Sequence, residues 1–98
     1  MPERARRKRN LEKPIRFTQS PAFVRTYANN AQLEVSNWDF RLIFGEVTGR
    51  EGETLCVEQR VAVAMSPQHT KALLELLTRH VAAYEERVGQ IRWQQASK

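Results

Sequence analysis

The chain has 98 residues, 41% of them hydrophobic and 28% charged, with a net charge of +5 and one cysteine. That length holds one domain at most, and folding would bury only roughly 60–65% of the unfolded chain's surface, so the core is thin. No apolar run approaches the ~18–20 residues of a bilayer span, and no apolar stretch follows the basic N-terminus as a secretory signal requires. The lone Cys56 excludes an internal disulfide and offers no cysteine pair for zinc, so a reducing cytoplasm is the expected location.

The charge is uneven. Arg4, Arg6, Arg7, Lys8, Arg9, Lys13 and Arg16 face only Glu3 and Glu12 within residues 1–16, while the rest of the chain is balanced. Residues 1–22 therefore read as a disordered basic arm, repelling itself and interrupted by Pro2, Pro14 and Pro21. Phe17 and Phe23 are its apolar exceptions and are expected to pin its end to the body.

The body is expected over 23–92, with 93–98 as a tail. Residues 27–35 alternate with period two, placing Tyr27, Ala31, Leu33 and Val35 on one face. Residues 38–44 repeat the pattern with Trp38, Phe40, Leu42 and Phe44, after a tight hairpin at Ser36-Asn37. Residues 45–53, with three glycines and four charges, read as a flexible connection. A third strand follows over 54–65, with Leu55, Val57, Val61, Val63 and Met65 on one face, broken by Gln59. No connection is long enough for a parallel crossover, so the three strands form an antiparallel meander.

The period then changes. Leu73, Leu74, Leu77, Val81, Tyr84, Val88 and Ile91 step by threes and fours, the mark of a helix over 67–88 stopped near Gly89. The fold class is α+β: a three-stranded antiparallel meander and one long C-terminal helix packed on one sheet face.

Ser66, His69 and Lys71 invite a catalytic reading. Ser66-Pro67 instead fits a helix start, the serine as N-cap and the proline at the first helical position. A Ser66–His69 pair lacks a third group to orient the imidazole and a Gly-rich turn to present the hydroxyl. Lys71, Glu75 and Arg79 are spaced for solvent-side ion pairs. His69 and His80 lie three helical turns apart, ~16 Å, too far for one metal ion. Cys56 sits among Thr54, Glu58 and Arg60, with no strongly electropositive cluster to activate a thiol. No enzyme, cofactor, metal or small-molecule ligand is expected.

The stretch "MSPQHTKALLELLTRHVAAYEERVGQI", together with Tyr27-Ala28-Asn29, Phe40 and Arg60, resembles the small bacterial proteins grouped as domain of unknown function DUF 3467. The matching features are Ser66-Pro67, His69, Lys71, Tyr84-Glu85 and Gly89-Gln90-Ile91, and the resemblance covers about residues 25–92. The basic arm is not a hallmark of that family, and the family implies no activity. The order of strands and then helix is also similar to the export chaperone SecB, which is longer and acidic.

Three strands and one helix are marginal alone, so self-association is the first expectation. The helix has a wide apolar arc, which Ala72, Leu76 and Ala83 extend. Ala62 and Ala64 leave the outer sheet face smooth. These five residues are the candidate dimer interface. The alternative is sequence-independent binding of nucleic acid or another polyanion through Arg4, Arg6, Arg7, Lys8 and Arg9. A second alternative is a SecB-like holdase.

Overall fold

The computed structural model describes residues 13–93. Its elements are β1 (Asn30–Val35), β2 (Phe40–Glu51), β3 (Thr54–Met65) and α1 (Pro67–Arg87). The strands form one antiparallel sheet in the order β1-β2-β3, so β1 and β3 are both edges. Residues 13–29 carry no regular secondary structure, and residues 1–12 of the basic arm lie outside the described residues.

The β1–β2 hairpin is wider than two residues. Val35 pairs with Phe40, leaving Ser36–Asp39 as a four-residue loop. Ser36 organises it: its Oγ accepts the N–H groups of Trp38 and Asp39 at 3.0 and 3.1 Å and donates to Asp39 Oδ1 at 2.9 Å. Trp38 is therefore a loop residue, 83% exposed, and not part of the sheet face with Phe40. Period-two alternation ran on into a loop whose backbone no longer obeys it.

Residues 45–51 are strand, not flexible connection. β2 continues through its glycines to Glu51, which pairs with Thr54 around the two-residue loop Gly52-Glu53. Gly52 alone of the two has positive φ, +62°, which matches a type II′ turn with glycine first. Two irregularities hide this long hairpin in the sequence. Phe44 pairs with Val61 but Gly45 with Gln59, so Arg60 is an extra residue on β3. Val47 pairs with Val57 but Gly49 with Cys56, so Thr48 is an extra residue on β2. Each bulge resets the alternation.

The bulge at Arg60 splits the apolar face expected for β3. Val61, Val63 and Met65 pair with Phe44, Leu42 and Phe40 and share their face. Gln59 and Val57 turn to the opposite face, where Gln59 Nε2 donates to Gln32 Oε1 at 2.9 Å. Gly45 sits at this crossing, and a Cβ there would collide with the Glu58 carbonyl oxygen. It is the one buried residue among those described.

Helix α1 begins at its cap. Ser66 Oγ accepts the His69 N–H at 3.0 Å, and Pro67 occupies the first turn. Gly89, at φ +139°, follows the C-cap Val88, and Glu85 Oε2 takes the Ile91 N–H at 3.0 Å. At about 32 Å the helix is long enough to cross the sheet, but it meets the sheet only at its opening. Pro67, Thr70 and Leu73 are half-buried, whereas Leu74, Leu77, Val81, Tyr84 and Val88 are exposed. Among the described residues no hydrophobic side chain is buried.

Candidate interaction surface

The period-two and period-3.6 stripes meet at an open groove of about 600 Å3. Leu33, Phe40 and Leu42 form its sheet wall; Leu73, Leu74 and Leu77 form its helix wall. Thr70 and Lys71 supply its few polar atoms. Such a lining offers burial and almost nothing for proton transfer or charge stabilisation. The apolar stripe continues past the groove to Val81, Tyr84 and Ile91, which with His80 border a shallower depression.

Midway along β2, where β1 begins, polar contacts fix the point where residues 13–29 join the body. The Asn29 N–H donates to the Gly45 carbonyl at 3.0 Å, and its Oδ1 accepts the Val47 N–H at 2.8 Å. Arg60, thrown out by its bulge, pairs with Glu46 at 2.6 Å and Glu58 at 2.9 Å and reaches the Tyr27 carbonyl at 3.4 Å. The Glu58 hydrogen bond, with support from Glu46, holds the guanidinium above its ordinary pKa. Arg60, 33 residues beyond Tyr27 in the sequence, is brought against the Tyr27–Asn29 stretch here.

Upstream of that root the large apolar side chains lie uncovered by the body of the chain. The turn Ser20–Phe23 is held by the Phe23 N–H on the Ser20 carbonyl at 2.9 Å. Phe17 is 86% exposed and Ile15 73%, so Phe17 does not pin the arm to the body of its own chain. Phe23, 52% exposed, carries the Arg25 guanidinium 5.1 Å from its ring centre instead.

The five alanine and leucine positions expected at an interface fall on two surfaces, one on the helix and one on β3. Ala72, Leu76 and Ala83 are exposed on α1. Ala62 and Ala64 pair with Ile43 and Arg41, on the sheet face away from the groove. Arg4, Arg6, Arg7, Lys8 and Arg9 lie outside the described residues. Among the described residues the ion pairs are Arg41–Glu34, Arg60–Glu46 and Arg60–Glu58, so the expected Lys71–Glu75–Arg79 ladder is absent. The link from His69 to Ser66 is its backbone N–H on the capping hydroxyl. No group of three His, Cys, Asp or Glu among the described residues is arranged to hold a metal ion. Among the same residues no helix is long and apolar enough to cross a membrane.

What the sequence left unseen is the openness of the groove and the Trp38 loop. The apolar stripes were legible, but nothing in their periodicity says what covers them. Ser36 three residues before Asp39 was the available signal for the loop, since serine side chains compete for local backbone N–H groups.

A bulged antiparallel meander with a helix held off its apolar face defines a small α+β module built around an uncovered hydrophobic groove. The chain belongs to the family described as "Protein of unknown function (DUF3467)", whose model matches residues 3–93. The match takes in most of the basic arm as well, beyond the residues 25–92 that carry the sequence resemblance. No curated protein and no solved structure matches the chain.

Proposed function

We propose that this chain is a non-enzymatic, homo-oligomeric binding or scaffold module whose hydrophobic core is completed by a second copy. The observation that carries this reading is the missing core: aligned apolar stripes on sheet and helix, with no buried hydrophobic side chain among the described residues. Along the helix Leu74, Leu77, Val81, Tyr84 and Val88 are all exposed, a row that a second copy could cover. A domain held together by its hairpins and one helix opening has too little burial to offset its conformational entropy.

The groove supports binding over catalysis, because its walls are carbon and the Ser66 hydroxyl is engaged at the helix cap. Light scattering on the folded protein tests the proposal. A mass of at least twice the chain at micromolar concentration is expected; a folded species of 11.4 kDa would refute it. A stable monomer that suppresses aggregation of an unfolded client would favour the holdase reading instead.

A further inference from the structure

The geometry points to an exchanged strap: residues 15–24 of one copy lie in the groove between sheet and helix of the other. This rests on the self-association proposed above and names the segment that fills the groove.

Four observations converge on it. First, the segment carries large apolar side chains that its own body does not cover: Ile15 is 73% exposed, Phe17 86%, Phe23 52% and Val24 64%. Ile15 and Phe17 flank Arg16, so in an extended chain they share one face with the cation on the other. Second, the segment is fixed at its root by Asn29 on Gly45 and Val47 and by Arg60 on Tyr27. These contacts continue the line of β1 beyond its start, toward the Gly52 end of the sheet.

Third, the groove lies at the other end, beside Leu33, Phe40 and the start of α1. Among the described residues the one turn upstream of β1 is Ser20–Phe23. Six residues separate Phe23 from Asn29 and six more separate Phe17 from Phe23, each spanning at most about 20 Å. A strap that runs out along β1 and doubles back at that turn brings Phe17 no further than Asn29. It stops short of Leu33, about 13 Å on. Fourth, the groove matches the segment in chemistry: two leucine-rich walls, open to solvent, with room for an isoleucine and a phenylalanine side chain.

Disulfide trapping tests the exchange. Two full-length proteins, both carrying Cys56→Ser, bear Phe17→Cys in one and Leu74→Cys in the other; both substituted side chains are exposed in the single chain. They are mixed, denatured, refolded together and oxidised, with light scattering before oxidation and peptide mapping after it. The expected product is a two-chain species joined between positions 17 and 74. A dimer that yields only a 74–74 link places the partner's helix in the groove and overturns the exchange. So does a dimer with no link. Each of those outcomes leaves self-association standing, whereas a folded monomer removes both. In the cysteine-free background, Phe17→Ala should weaken self-association by roughly 30-fold, as loss of a buried aromatic anchor does; unchanged affinity contradicts the strap.

Discussion

Asn29 Oδ1 accepts the backbone N–H of Val47 at 2.8 Å, one residue before β1 begins its ladder with β2. At that level β1 offers Val47 no backbone acceptor, and the asparagine side chain takes the place of one. Asn29→Ala should therefore cost about 1 kcal/mol, the usual loss for one hydrogen bond to a half-buried group. Asn29→Asp, which keeps the acceptor, should cost less. Chemical denaturation at fixed protein concentration reads the difference, and amide exchange at Val47 should quicken in the alanine variant alone.

Gly45 and Gly49 sit four residues apart on the same strand, yet they should respond differently to alanine. At Gly45 the new methyl group meets the Glu58 carbonyl, part of the rigid bulge, so the strands must separate locally. A loss of about 1–3 kcal/mol is expected, as for overpacking in a tight site. At Gly49 nothing lies within 4 Å of the added atom, and its φ is not in the left-handed region. Gly49→Ala should be neutral or slightly stabilising. Thermal unfolding of the two variants side by side checks the contrast.

Much of this architecture is legible in the sequence. The switch from period two to period 3.6 at Ser66 located the helix, and the Ser-Pro pair located its cap. The failures share a physical cause. Alternation assumes one residue per step of the ladder, and the bulges at Arg60 and Thr48 break that assumption, so residues 45–51 looked like a loop and Val57 seemed to share a face with Val61. Trp38 was misplaced for the converse reason, because it kept the alternation while leaving the ladder. Burial was not legible at all. A stripe of leucines states that something must cover it, and the chain's own sheet covers only the first turns of the helix.

Ser66→Ala should lower stability by about 1 kcal/mol by freeing the His69 N–H at the helix start. Ser66→Asp, another good N-cap, should restore most of it. A catalytic serine would not be rescued by aspartate, so any activity that survives in the aspartate variant and tracks its stability reports the cap.

The Arg60 cluster should give no pH dependence near neutrality. The Glu58 hydrogen bond raises the guanidinium pKa in the folded state. Its contribution is therefore complete below the ordinary arginine value and is lost only as pH rises through the still higher folded value. The difference in unfolding midpoint between wild type and Arg60→Met should stay constant from about pH 6 to pH 9. A difference that varies across that range would show that other titrating groups govern the root of the strap.

The basic arm makes a separate, sequence-based prediction. If Arg4, Arg6, Arg7, Lys8 and Arg9 each neutralise one phosphate, affinity for duplex DNA should fall with a log–log salt slope of about −4 to −5. Removing residues 1–13 should abolish that binding and leave the oligomer mass per chain unchanged. Binding that persists in the truncated protein would locate the polyanion contact elsewhere.

The concentration dependence of unfolding tests most directly whether one copy can hold a core. If folding and association are coupled, the thermal midpoint should rise steadily as the protein is concentrated over about 100-fold, because mass action favours the assembled state. A single cooperative transition whose midpoint is the same at both ends of that range would mean that each chain folds alone.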